Sequence, residues 1–154
     1  MRTMLLSFKA DVYKKVISGD KMYEHRKVFP NEPIKAYLYV SHPVKAITGI
    51  MYLENRIEIE KWKDKYSYDN DAMERIDDYL KCHKYAVEIT KFEETNEISL
   101  EQLRSDLPKF IVPQMYYYID DLPLLKYLEE NLKLTGKVFL HDFSNIKSNQ
   151  ICKS

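Results

Sequence analysis

The pattern that most constrains the fold is a series of short segments in which apolar side chains alternate with polar ones or with tyrosines. Residues 34–41 form the clearest of them, because they alternate and are rich in Tyr, Leu and Val. Such alternation is typical of a β-strand that turns one face toward a core. Further strands are predicted over 3–8, 21–29, 44–59 with a bend at Gly49, 84–93, 116–118 and 137–143.

Helical patterns lie between these strands. They are residues 10–18 followed by Gly19, two short helices within 60–83, a short helix that opens at Ser99, and a last helix over 120–131 that begins at Asp120 or Asp121. Strands with helices inserted between them predict an α+β fold. We expect a small β-barrel of five to six mostly antiparallel strands with flanking and inserted helices. Leu5, Leu38, Val40, Ile47, Val87 and Ile89 are predicted to share its interior.

The length of 154 residues is that of one domain, which we predict over residues 1–143. Residues 144–154 form a polar C-terminal tail whose end, with Cys152, is expected to fray. The two cysteines make no disulfide framework, and no apolar run reaches the roughly 18 residues of a membrane span. We therefore expect no contact with a membrane and a cytoplasmic location.

Charge is distributed unevenly along a chain whose 24 basic and 24 acidic residues cancel. Residues 1–48 hold 9 Lys and Arg against 4 Asp and Glu. Neutrality excludes a polycation that coats nucleic acid, whereas the local excess is compatible with a face that accepts an anion such as phosphate. No Cys-x-x-Cys or His-x-x-x-His spacing occurs near His42, Cys82 or His83. We therefore expect neither a metal site nor a cofactor.

The most informative segment is Gly19-Asp20-Lys21-Met22-Tyr23-Glu24-His25-Arg26. The glycine ends a helix and the chain continues as a strand, where Glu24 and Arg26 share one face because strand side chains alternate with a period of two. Lys21 at the start of the strand is placed to approach the same side. An ammonium, a carboxylate and a guanidinium would then converge, which favours binding of anions or polar edges and proton transfer. The alternative is a Glu24–Arg26 pair that only satisfies the barrel interior, with Lys21 in solvent.

This segment resembles the signature of the ASCH domain, a relative of the PUA-like barrel. The resemblance continues through residues 3–119 in matching order: Leu5-Leu6-Ser7-Phe8, Ser41-His42-Pro43-Val44-Lys45 with Ile47-Thr48-Gly49, Tyr85-Ala86-Val87-Glu88-Ile89, and Val112-Pro113-Gln114 with Tyr116-Tyr117. The resemblance implies a barrel cleft that takes RNA or a nucleotide. The ligand-binding residues expected in that cleft are Lys21, Glu24, Arg26, Ser41, Gln114 and Tyr116.

The resemblance also implies an alternative function. Certain small ASCH proteins are amidohydrolases that deacylate N4-acetylcytidine with a lysine, a threonine and a glutamate. The lysine corresponds to Lys21, but the threonine position holds Glu24, which is no hydroxyl nucleophile. The distal glutamate has no assigned position, and Glu54 and Glu58 are candidates by placement. If this chain is an enzyme, an amidohydrolase or a ribonuclease, Lys21 and Glu24 are its predicted catalytic residues.

Three kinds of function therefore remain open. The first is binding of RNA, a nucleotide or a nucleoside, with one of Tyr116, Tyr117 and Tyr118 stacking on a base. The second is the hydrolase. The third is a protein partner that docks on the acidic helices of 60–83 and 120–131.

Overall fold

The computed structural model describes residues 1–153 as seven strands and five α-helices. The strands are β1 Arg2–Phe8, β2 Tyr23–Arg26, β3 Ile34–Val40, β4 Ala46–Glu58, β5 Tyr85–Ser99, β6 Tyr116–Tyr118 and β7 Leu134–Leu140. The helices are α1 Ala10–Ser18, α2 Trp62–Lys65, α3 Asn70–Leu80, α4 Leu100–Asp106 and α5 Pro123–Asn131. No helix among these residues is both long and apolar enough to cross a membrane.

The strands form one strongly curled sheet, a half-barrel, in the order β2-β5-β4-β3-β1-β6, and β7 also pairs with β5. Only the β1–β3 pair is parallel, and every other pair is antiparallel. The predicted α+β class with a barrel-like, mostly antiparallel sheet is confirmed, and the sheet is curled into a half-barrel. At Gly49, where the sequence predicted a bend, the pairing of β4 with β5 is irregular and the register shifts between Ile47 and Gly49.

The core lies on both faces of the sheet. The six residues predicted to be buried are all buried, but they do not share one interior. Leu38, Val87 and Ile89 belong to a cluster that includes α1, whereas Leu5 and Ile47 belong to a cluster that includes α4 and α5. Successive strand residues point to opposite faces, and helices cover both faces of this sheet. The prediction of one shared interior was therefore wrong.

Strand β5 runs to Ser99 and does not end at residue 93, as the sequence predicted. Its second half is polar, but backbone pairing holds it extended between β4 and β7, as in the pairs of Ala46 with Ser99 and Thr95 with Leu134. Neither predicted aspartate caps α5, whose N-cap is Leu122. Asp120 instead accepts hydrogen bonds from the backbone and hydroxyl of Thr3.

An insertion between β4 and β5, residues 59–84, carries α2 and α3. Its base is closed where the Ile59 amide donates to the Lys84 carbonyl at 3.0 Å. The amphipathic helices turn Trp62, Tyr66 and Ile76 into a third buried cluster beside β2. The insertion thus lies against the strand that carries the Glu24–Arg26 motif.

The last described segment, residues 144–153, does not fray. Ile151 and Cys152 are buried in the cluster of the insertion. Arg75 on α3 donates to the carbonyls of Ser148 at 2.7 Å and Ile151 at 3.4 Å. The expectation of fraying followed from polar composition and was wrong, because two apolar residues near the end suffice to fix the segment on α3.

Candidate functional site

A cleft of about 390 Å³ lies between the end of β1, the start of α1, strand β2 and the end of the insertion. Gly19 ends α1 in the left-handed conformation, with φ of 83°, and its amide donates to the Val16 carbonyl. The Lys21 amide then donates to the Lys15 carbonyl, so that the chain reverses directly into β2. This reversal places the side chains of Lys21, Glu24, His25 and Arg26 at the cleft.

Glu24 and Arg26 form an ion pair on one face of β2, as the alternation predicted. The Nε of Arg26 donates to Oε1 of Glu24 at 3.1 Å, and its Nη2 donates to the Ser7 carbonyl at 3.3 Å. Both side chains are largely withdrawn from solvent, which strengthens a charge-assisted hydrogen bond. The pair fixes the guanidinium at the cleft wall.

Lys21 is buried, with 4% of its surface exposed, and this burial contradicts the alternative in which it lies in solvent. Its Nζ lies 3.5 Å from Nδ1 of His25. Burial lowers the pKa of Lys21, and the nearby carboxylate of Glu24 acts in the opposite direction. The site therefore holds an amine that gives up its proton more readily than an exposed lysine.

His25 is a site residue that the sequence did not single out. Burial, with Lys21 and His83 as further causes, lowers its pKa well below 6.5, so the imidazole is neutral at pH 7. When Lys21 is protonated its ammonium can only donate, so Nδ1 of His25 is then the acceptor and the ring proton lies on Nε2. The ring of Tyr79 from the insertion packs on His25 edge to face, with centroids 4.7 Å apart.

Two buried polar atoms of the cleft have no hydrogen-bond partner among the described residues. They are Oε2 of Glu24, which can only accept when ionised, and Nε2 of His25. An unpartnered buried polar atom carries a cost of about 1–3 kcal/mol, which a ligand can recover. The cleft thus offers one acceptor and one donor beside its cations.

The other predicted site residues are dispersed. Gln114 lines the cleft, but neither Ser41 nor Tyr116 is among its lining residues. The Ser41 hydroxyl donates to the Phe8 carbonyl, and Tyr116 packs against the ring of Phe29. The candidate glutamates Glu54 and Glu58 lie on β4 and also do not line the cleft.

Residues outside the predicted ligand-binding set complete the cleft. Lys9, Lys27, Cys82, His83 and Met115 line it together with Phe8 and Val12. His83 is half-buried, and burial lowers its pKa. Among residues 1–153, no group of three or more His, Cys, Asp and Glu side chains is placed to hold a metal ion.

A curled, mostly antiparallel half-barrel of this topology is the architecture of the ASCH fold. The chain is similar to the ASCH protein from Zymomonas mobilis, with a TM-score of 0.62 and 20% identity over 86% of this chain and 96% of that chain. A serine-to-alanine variant of that protein matches with a TM-score of 0.62 and 20% identity over 84% and 96% of the two chains. A tyrosine-to-phenylalanine variant matches with a TM-score of 0.60 and 18% identity over 86% and 100%.

No protein-family model matches the sequence, and no curated protein matches it. The likeness to the Zymomonas mobilis structures shows that this chain has the ASCH fold.

Proposed function

We propose that this chain binds a nucleotide or a short single-stranded RNA in the cleft at β2. The observation that carries the proposal is the unpartnered carboxylate oxygen Oε2 of Glu24 inside a cleft lined by Lys9, Lys21, Arg26 and Lys27. A simple anion would satisfy the cations but would face the carboxylate unfavourably. A nucleotide carries both a phosphate for the cations and N–H or O–H donors for Glu24.

The walls of the cleft fit the rest of such a ligand. Phe8, Val12 and Met115 give it an apolar side against which the plane of a base can pack. The neutral imidazole of His25 supplies a donor for a base carbonyl or ring nitrogen. The resemblance to ASCH domains supports the same ligand class, since it implies a cleft that takes RNA or a nucleotide.

Calorimetric titration of the full chain at low salt tests the proposal with three probes: inorganic phosphate, the four ribonucleosides and the four nucleoside monophosphates. We expect at least one monophosphate to bind more tightly than both phosphate and its own nucleoside. Lys21→Gln and Arg26→Gln are each expected to weaken its binding by about tenfold to a hundredfold, because a hydrogen bond to a charged group contributes about 1.5–3 kcal/mol.

Two further variants make the test specific. Glu24→Gln is expected to reduce the preference for the monophosphate over inorganic phosphate, since it removes the charged acceptor for the N–H and O–H donors of the base and ribose, which inorganic phosphate does not carry. Lys126→Gln removes a positive charge from an exposed site on α5 and is expected to leave affinity unchanged. Failure of every monophosphate to bind at low salt contradicts the proposal.

A hydrolase is the second candidate, and the lowered pKa of Lys21 beside Glu24 favours it. A buried amine whose pKa lies below that of an ordinary lysine transfers its proton more readily, and this suits it to general acid–base catalysis. The assay follows release of acetate from N4-acetylcytidine and of fragments from short RNA. If there is turnover, Glu24→Gln is expected to abolish it while ligand affinity stays within about tenfold. Turnover that survives both Lys21→Ala and Glu24→Gln would place the active site elsewhere.

A further inference from the structure

A second cleft, of about 550 Å³, adjoins the first one. The two clefts share Lys27, Cys82 and His83 as a common wall, and the second continues past them to Arg56, Lys84 and Tyr85. We infer that the second cleft binds the neighbouring nucleotide of the same strand, so that the preferred ligand is an oligonucleotide of two or more residues. This inference rests on the proposed function, because it assigns the first nucleotide to the cleft at β2.

The charge of the second cleft suits a phosphodiester backbone. Its charged side chains are Lys27, Arg56, Lys81 and Lys84, and no acidic side chain lines it. Lys81 is paired with Asp78 at 3.2 Å. The other three form no ion pair with a carboxylate among residues 1–153. Three uncompensated cations beside one cavity favour a polyanion over a neutral ligand.

Arg56 and Tyr85 form a stacked platform in this cleft. The guanidinium carbon of Arg56 lies 4.0 Å from the centroid of the Tyr85 ring, and Nη1 donates to the Phe29 carbonyl at 2.7 Å. These contacts hold the guanidinium in a fixed plane. Single-stranded bases stack on aromatic rings and on arginine planes, and each stacked base contributes about 1–3 kcal/mol. The platform therefore offers a place for a base as well as for a phosphate.

The two clefts are held in a fixed relation to each other. The Lys84 amide donates to the Arg26 carbonyl at 3.1 Å, which joins the second cleft directly to the strand of the first. The His83 amide donates to the Tyr79 carbonyl at 2.7 Å, and this bond fixes one of the three residues that line both cavities. A ligand that spans both clefts thus meets a preorganised surface, which reduces the entropy cost of binding.

Binding of mononucleotides and dinucleotides to the full chain tests the inference. The probes are the four nucleoside monophosphates and the four corresponding phosphorylated homodinucleotides, titrated at the same low salt concentration. We expect a dinucleotide to bind at least tenfold more tightly than its mononucleotide. Lys84→Gln is expected to lower dinucleotide affinity about threefold to tenfold and to leave mononucleotide affinity unchanged. The side chain of Lys84 is exposed and lies over the ring of Tyr85, and the substitution leaves its backbone hydrogen bonds in place, so this variant is expected to fold normally.

Arg56→Lys is the second variant, because it keeps the charge but loses the planar platform. We expect it to reduce the advantage of the dinucleotide, while Lys21→Gln weakens both probes and Lys126→Gln weakens neither. If mononucleotides bind and dinucleotides bind no better, the second cleft is no nucleotide site and the proposed function stands. If dinucleotides bind better but Lys84→Gln and Arg56→Lys have no effect, the inference is wrong as well. If no probe binds, the proposed function fails and the inference fails with it.

Discussion

The substitution Ile151→Ala tests whether the last described segment belongs to the folded core. Ile151 is fully buried in the cluster that contains Trp62, Tyr66 and Ile76. Its backbone carbonyl accepts a hydrogen bond from Arg75, so both the backbone and the side chain of Ile151 are held in place. Truncation to alanine leaves a cavity that this anchored segment cannot easily close.

The size of the effect follows from the burial. Replacement of a buried isoleucine by alanine costs about 2–5 kcal/mol. Arg75 anchors the backbone of this segment, so the segment cannot move to fill the cavity and the cost stays above the lower limit. In a domain of this length each kcal/mol lowers the melting temperature by about 2–4 °C. We therefore expect Ile151→Ala to lower the free energy of unfolding by about 3–4 kcal/mol and the melting temperature by about 6–16 °C.

Urea denaturation followed by tyrosine and tryptophan fluorescence measures the change, since Trp62 lies in the same cluster. Ile111→Ala is the matched control, because it makes the same chemical change at a side chain that is 70% exposed. The control is expected to change stability by less than about 0.5 kcal/mol. A result for Ile151→Ala as small as that of the control would show that the segment frays in solution and that its packing on α3 does not contribute to stability.

Three further predictions concern the cleft and the sheet. Burial lowers the pKa of Lys21 below 10.5, so between the lowered value and 10.5 the unfolded chain binds more protons than the folded one. The stability of the wild type should therefore rise relative to that of Lys21→Met as the pH rises through this window. Parallel pH profiles of the two proteins in urea denaturation would contradict this. The affinity for a short single-stranded RNA should fall as salt is added, with a slope of about −2 to −3 in a plot of log affinity against log salt concentration, because three or four phosphates are neutralised. A slope near zero in anisotropy titrations would exclude phosphate contacts. A Cβ at Gly49 would lie 2.5 Å from the buried ring of Phe92, so Gly49→Ala should lower the free energy of unfolding by about 1–3 kcal/mol, and an unchanged urea midpoint would refute the close contact.

The part of the site that could be predicted from the sequence is the part set by local geometry. Glu24 and Arg26 lie two positions apart, and a period of two puts them on one face wherever the strand lies in the sheet. The partners of His25 depend on where the insertion folds, because Tyr79 and His83 are more than fifty positions away. Alternation alone carries no information about such a distant partner.

The fold shows the same division between local and distant information. Ser99 caps α4 as predicted, since its hydroxyl accepts from the amide of Gln102 within the same turn. The prediction that Asp120 caps α5 was wrong, because its carboxylate accepts hydrogen bonds from Thr3 near the other end of the chain. The second half of β5 is polar and was missed, since only its pairing with two neighbouring strands identifies it.

The closed base of the insertion has a consequence for how this molecule can diversify. Ile59 and Lys84 are bonded to each other where β4 and β5 already pair, so the segment between them leaves and re-enters the sheet at one point. Its length and sequence can therefore change without any change in strand order. Strand β2 and the turn before it keep Lys21, Glu24 and Arg26, whereas the insertion supplies Tyr79 and His83. Exchange of this one segment would offer selection, or a protein engineer, a route to new ligand preferences on a constant framework.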